Sequence, residues 1–396
     1  MDNAYTHFFR YPSQRYMNIV HCNSANETQT LTSVANKLMS CVNQNYGCEY
    51  GMSHVAATLD SQHVRQFVRT LVRANSSCNV QFNTSVKQLV INRITNLVYD
   101  NQHGSVNHIV TEAYMDVPQC VYNQVDLWED DSTENLLQIL TPDTRVLLLT
   151  HVCHMTGRIF DLRSLIAKAR KKSPHLFVIV DGSLYVPHRH LDFDGLGADM
   201  YTFSFKRFYG PQIATAIMHE PSMISINDDS NIEALDHQTL SIPGVAHFVR
   251  TVSLGHRAPP HIHSGTHTSD VEVFYDRVMH KEHRMYEELY RRIACQVSRS
   301  CAIVRDDDEK KNHVPIIGLR FIHKTHREAA LFLNECNVLC DHVRNEFLPD
   351  ESRDLVRLSL AVYNELADID YVVGVLRALE PPFAKSKSYT QLVNDS

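Results

Sequence analysis

The sequence predicts an α/β protein: a large domain with a mostly parallel mixed sheet, followed by a smaller C-terminal α+β domain. Three observations carry that expectation. Apolar, strand-like runs alternate with helical stretches between about residues 30 and 255. A long amphipathic stretch near residue 270 opens a second series of elements. The 396 residues are too many for one compact core.

The elements of the large domain read in order. VLLLT (Val146 to Thr150) is a short apolar run of the kind a buried parallel strand requires. DLRSLIAKARKK (Asp161 to Lys172) places a capping aspartate before apolar residues at helical spacing. LFVIV (Leu176 to Val180) is a second buried strand and runs directly into Asp181 and Gly182. MYTFS (Met200 to Ser204) and QIATAIM (Gln212 to Met218) are a third and a fourth. Open sheets of this order bind ligands beyond the carboxyl ends of their strands. His151, Asp181 and the pair Lys206–Arg207 all follow strand ends, so they point to one shared site.

The second series starts with a helix over Ser269 to Gln296. CAIVR and VPIIGLRFI follow as strands, joined across the charged run DDDEKKNH as a hairpin. HREAALFLNEC and Asp368 to Leu379 are helices. The expected divisions are residues 1–265 with an N-terminal arm over about 1–25, residues 266–383, and a polar tail over 384–396.

Composition excludes several function classes. The hydrophobic share is 43%, the charged share 21%, and the net charge of -7 offers nothing to nucleic acid. No apolar run is long enough to span a membrane, and the first residues carry no basic-then-apolar export signal. The ten cysteines lack a framework spacing and read as reduced thiols, so a cytoplasmic location is expected. The 24 histidines invite a metal reading, at Cys336, Cys340 and His342, or at His256, His261, His263 and His267. Neither set has two ligand pairs at zinc spacing, so no metal is expected: the first reads as a helix burying two thiols, the second as a solvated loop.

Three segments then read together: THVCHMTG, VDGSLYVPHRHLDFDGLGAD and FSFKRFYGP, within Thr150 to Pro211. They resemble the class-V aminotransferase and cysteine desulfurase superfamily, pyridoxal-phosphate enzymes of fold type I. The run Tyr185, Pro187, His188 and Arg189 is similar to one in a cysteine desulfurase-like branch. The likeness continues more weakly into VRLSLAVYNELADIDYVVGVLRAL and is faint before residue 140. The resemblance implies pyridoxal 5′-phosphate as cofactor, a small amino acid as ligand and a homodimer. By the same resemblance Asp181 pairs with the pyridine nitrogen, His151 stacks on the ring, and Ser204 binds the phosphate. Thr239 reaches the phosphate of the partner's site, and Arg357 holds the substrate carboxylate.

One position departs from the family in a way that decides the chemistry. The family's lysine, which joins the cofactor aldehyde, lies three residues after the serine and three before Gly-Pro. Counting from Ser204 and from Gly210 both give Arg207, and Lys206 falls one place earlier. A guanidinium stays charged and is a poor nucleophile, whereas a lysine can lose its proton and attack. Arg207 therefore implies a protein that has kept the fold and lost the covalent link, a pseudoenzyme. The alternative is an active aminotransferase or β-eliminating lyase that uses Lys206. For that, an extended backbone at Ser204 to Lys206 would need a one-residue shift, because neighbouring side chains of a strand face opposite ways. Leu184 and His154 replace polar residues of the family, NTSVKQL (Asn83 to Leu89) lacks the glycine of its phosphate turn, and VRNEFLPDES lacks the desulfurase cysteine.

Overall fold

The computed structural model describes residues 5–9, 19–43, 52–99, 107–111, 120–124, 132–219, 239–254, 268–304, 312–344 and 354–380. In chain order the elements are β1 (Val20–His21), α1 (Thr32–Asn43), α2 (Met52–Leu71), β2 (Asn79–Asn83), α3 (Val86–Tyr99), β3 (Asn107–Thr111), β4 (Cys120–Gln124), α4 (Ser132–Ile139), β5 (Thr144–Thr150), α5 (Leu162–Lys172), β6 (Phe177–Asp181), α6 (Phe193–Leu196), β7 (Met200–Ser204), β8 (Ala214–Met218) and α7 (Pro243–Leu254). There follow α8 (Thr268–Gln296), β9 (Cys301–Val304), β10 (Ile316–Phe321), α9 (His326–Glu335), β11 (Val338–Leu339), β12 (Asp341–Val343), β13 (Leu355–Ser359) and α10 (Leu366–Ala378).

The large sheet has seven strands in the order β2-β8-β7-β6-β5-β3-β4. β3 to β7 pair in parallel, and β8 runs antiparallel between β7 and β2. The central strands are buried along most of their length, which explains why VLLLT and LFVIV are apolar without alternation. The Asp161 side chain accepts from the Ser164 amide and starts α5 where the sequence predicts. The smaller sheet is antiparallel throughout, in the order β12-β13-β10-β9.

Two large apolar clusters fill the fold, and α8 serves both. Val271, Phe274, Tyr275 and Val278 pack with the large sheet, whereas Met285, Leu289 and Ile293 pack with the small one. The N-terminal segment also joins the second cluster, because β1 pairs in parallel with β11. No described helix is long and apolar enough to cross a membrane.

The expected helix carrying Cys336 and Cys340 is a correction. α9 ends at Glu335, Cys336 is its C-cap, and Cys340 sits between β11 and β12. Cys340 is buried against the Ala330 carbonyl, and burial pushes its thiol up to about 12. His342 instead meets Asp354 at 3.2 Å. The histidines at 256, 261, 263 and 267, and the tail 384–396, lie outside the described residues.

Candidate active site

A cavity of about 380 Å³ opens at the carboxyl ends of β5, β6 and β7, a volume within the usual range for small-ligand sites. Thr150 ends β5, Asp181 ends β6 and Ser204 ends β7, and all three line it with Ser183, Lys206 and Arg207. The opposite wall is the start of α3, where Thr84, Ser85 and Lys87 reach the cavity. The Ser85 carbonyl accepts from Leu89, so Ser85 begins the helix, and Asn83 Oδ1 accepts from the Ser85 amide. First-turn amides have no partner inside a helix and favour an anion. NTSVKQL thus brings Thr84, Ser85 and Lys87 to the cavity at the start of a helix, without a glycine turn.

The decisive segment is not extended. Phe205–Arg207 form a 3-10 turn, in which successive side chains are about 120° apart rather than opposed. Both Lys206 and Arg207 therefore line the cavity, and no one-residue shift is needed to bring Lys206 there. The turn is pinned from outside by the segment before α1. The Thr28 amide and hydroxyl both donate to the Lys206 carbonyl, each at 3.1 Å, and the same hydroxyl accepts from the Tyr209 amide at 2.8 Å. Tyr209 adopts a left-handed φ of 59°, a cost of about 1–2 kcal/mol that this strap offsets.

The charges within the cavity are unequal. Lys206 Nζ lies 3.5 Å from Glu27 Oε2 at the half-exposed rim. Among the described residues, no hydrogen bond or ion pair closes on the half-buried Arg207 guanidinium. Burial pulls its pKa below the usual arginine range, Asp181 opposes that, and the charge of Arg357 adds to it. Asp181 accepts from the Ser183 amide at 2.9 Å. Ser183 is buried, and its hydroxyl has no hydrogen-bond partner among the described residues. This hydroxyl and the Arg207 guanidinium, neither of which closes a hydrogen bond or ion pair among the described residues, line the same cavity.

His151, Thr239 and Arg357 are placed differently from the group at the cavity. None of the three is among its lining residues. The His151 ring stacks on Tyr185, with centroids 3.7 Å apart and planes within 4°, and its Nδ1 lies 2.8 Å from the Tyr201 hydroxyl. Burial holds His151 at about 3 and raises Tyr201 well above its ordinary value. Both groups are therefore neutral, and a single hydrogen bond joins Nδ1 to the phenol. Arg357 on β13 donates to the His154 carbonyl and to Asp341, each at 2.9 Å, so its guanidinium is already engaged. Thr239 is buried ahead of α7.

Gly182 connects these two regions. A Cβ there would overlap the fully buried Tyr201 ring. Gly182→Ala is expected to destabilise the chain by about 1–3 kcal/mol through that overpacking, read as a lower urea midpoint. An unchanged midpoint would show that the Tyr201 ring is free to move aside.

The motif Tyr185-x-Pro187-His188-Arg189 is a strut. His188 Nδ1 meets Glu282 Oε1 of α8 at 2.8 Å, and Arg189 lies 3.5 Å from the other carboxylate oxygen. Sequence reasoning missed Asn26, Thr150 and Ser183 at the cavity. Thr150 and Ser183 stand beside the two strand-end residues His151 and Asp181 and could have been found from that adjacency. Nothing local marks Asn26.

The comparisons agree with this architecture. The family description "Aminotransferase class-V" matches residues 22–224, half of the chain. The cysteine desulfurase-like protein ustD of Aspergillus flavus is 24% identical over 251 residues, 60% of this chain and 55% of that protein. The aminotransferase-like protein FGM3 of Gibberella zeae is 40% identical over 81 residues, 20% of each chain. The matched stretches thus span from a fifth to about half of these relatives. Among solved structures, a cysteine desulfurase of Thermococcus onnurineus superposes with a TM-score of 0.70 over 93% of this chain and 98% of its own, at 15% identity. The Escherichia coli cysteine desulfurase CsdA gives 0.70 over 96% and 98%, at 14% identity. The fold is that of the cysteine desulfurases, and the chain belongs to the class-V aminotransferase family, as a distant relative of its known members.

Proposed function

We propose that this chain is a non-catalytic member of its family: it holds pyridoxal 5′-phosphate, or the phosphate ligand that has replaced it, without a covalent link to lysine. The observation that carries this reading is that Arg207, which the count from Ser204 and from Gly210 sets at the family's lysine position, lines the cavity with no ion pair closed on it among the described residues.

The residues present suit that cofactor in part. Thr84, Ser85, Lys87 and Ser204 offer hydroxyls, a cation and a helix start to the phosphate, and Asp181 offers a carboxylate to the ring nitrogen. Pyridoxal phosphate supplies an electron sink for carbanions when bound. Arg207 binds and orients an anion and cannot serve as the nucleophile that the family uses. The protein is proposed to act as a homodimer, with Thr239 turned toward its partner's cavity.

One observation favours a second reading. Lys206 lines the same cavity, so an amino-acid transferase or β-eliminating lyase built on Lys206 is the alternative. In it, the engaged Arg357 would first have to part from Asp341 to meet a substrate carboxylate.

Titration of the purified chain with pyridoxal phosphate, followed by borohydride and peptide mapping, separates the two. The expected result is saturable binding displaced by inorganic phosphate, with no fixed cofactor on residues 203–211. Arg207→Lys should gain a fixed cofactor at that position, and Arg207→Ala should bind about tenfold or more weakly, as loss of a charged hydrogen bond implies. Cofactor fixed to Lys206 in the native chain would establish the second reading. Absence of saturable binding would overturn both.

A further inference from the structure

A second group of chemically capable side chains lies at the other end of the large sheet. In the β2–β8 pair, Asn79 is opposite Met218, whereas Asn83 is opposite Ala214 beside the cavity. Cys78 immediately precedes β2 and His219 immediately follows β8, so the antiparallel register brings them together far from Ser204 and Arg207. α6 adds Asp194.

The three donor atoms converge. Cys78 Sγ is 3.6 Å from His219 Nδ1 and 4.0 Å from Asp194 Oδ1, and all three lie within 4.8 Å of one another. A tetrahedral zinc with a Zn–S bond of about 2.3 Å and a Zn–N bond of about 2.0 Å holds sulfur and nitrogen about 3.5 Å apart. The sulfur–nitrogen pair already has that separation, and a small rotation of the exposed Asp194 brings its oxygen in. The ring of Phe193 stacks on His219 at 4.6 Å and 15° and fixes the imidazole plane. The Asn75 amide donates to Asp194 Oδ1 at 3.3 Å and steadies the carboxylate.

The same three residue types could instead suggest a cysteine nucleophile with a histidine base. The geometry opposes that. A base-orienting carboxylate must bond the ring nitrogen remote from the thiol, whereas here the carboxylate and Nδ1 both face the sulfur. Cys78 is also 0% exposed, out of reach of a substrate.

We propose that Cys78, His219 and Asp194 form a zinc site that ties the edge strand β2 and its neighbour β8 to α6. Zinc suits a mixed thiolate, imidazole and carboxylate set. The Cys78 thiol gives its proton to solvent on binding. The exposed Asp194 side leaves the fourth position to water. The site is independent of whatever occupies the cavity.

Cobalt(II) loading of the full chain tests it. Because the chain has 24 histidines, counting metal alone would not identify the site. The expected result is one equivalent of cobalt with a thiolate charge-transfer band and tetrahedral d–d bands, displaced by zinc. Asp194→Asn and His219→Gln should each weaken that binding about tenfold or more. Cys78→Ser should abolish the charge-transfer band; the exposed Asp194→Asn keeps the test valid if the buried serine prevents folding. Zinc should also raise the melting temperature of the native chain and not that of the variants. Cobalt bound without a thiolate band, or binding unaltered in both Asp194→Asn and His219→Gln, would overturn the proposal.

Discussion

Replacement of Glu282 by alanine is expected to destabilise the chain by about 3–5 kcal/mol, the range for removing one partner of a buried ion pair. Glu282 is 2% exposed, and His188 and Arg189 both face its carboxylate. Arg189 also donates to the carbonyls of His188 and His313, so it cannot swing out to solvent without breaking those bonds. Alanine leaves a guanidinium and an imidazole in a closed space with no anion. Glu282→Gln keeps an acceptor for His188 and should cost less, about 1–3 kcal/mol. Urea unfolding of both variants measures this. If alanine and glutamine both fall within about 0.5 kcal/mol of the native chain, the range of ordinary surface changes, the cluster is not a structural strut. The tie matters because Glu282 sits on the helix that serves both apolar clusters, at the junction between Val278 and Met285. The run that carries the family likeness in the sequence, with its His188 and Arg189 on Glu282, thus serves assembly in this chain.

Much of the scaffold is legible in the sequence because buried parallel strands leave a blunt signal. VLLLT and LFVIV are apolar throughout; β5 contains the first, and β6 contains the second except for Leu176. The helix read over Ser269 to Gln296 differs from α8 by one residue at its start. The direction of β8 was not legible, because ATAIM is equally apolar whether it pairs in parallel or antiparallel. Nor could a stripe of apolar positions on α8 reveal that it faces two different clusters.

The site was legible where strand ends define it. Asp181, Ser204, Lys206 and Arg207 come together as their positions after β6 and β7 require. What failed was the assumption of extended backbone at Lys206. The 3-10 turn depends on Thr28, far away in the chain, and no local pattern encodes that strap. Cys78, Asp194 and His219 were invisible for the same reason: strand register joins the first to the last, α6 adds Asp194, and no spacing encodes either.

Acid stability should carry the signature of His151. Its folded pKa is held near 3 by burial, against 6.5 for an exposed histidine. The sign follows from which state binds the proton first. On lowering the pH below about 6.5, the unfolded chain takes up a proton that the folded chain refuses. Stability from this group is thus complete above about pH 6.5 and is lost as pH falls toward 3. Between pH 7 and pH 5 the loss is about 2 kcal/mol. Burial also lowers His21, His108, His190 and His326, so the native chain's total slope exceeds this single contribution. The difference between the native chain and His151→Gln isolates it, because a glutamine amide can pair with the Tyr201 hydroxyl as donor or acceptor but does not titrate. Urea midpoints at pH 7 and pH 5 should show the variant losing about 2 kcal/mol less than the native chain. Equal losses would mean that the ring reaches solvent and protonates in the folded state. The expected outcome bears on function as well as stability. A ring that stays neutral down to acid pH, with Nδ1 taken by Tyr201 and one face covered by Tyr185, has little to offer as a proton acceptor. It also lies outside the lining of the cavity, so general-base chemistry there would have to come from another group.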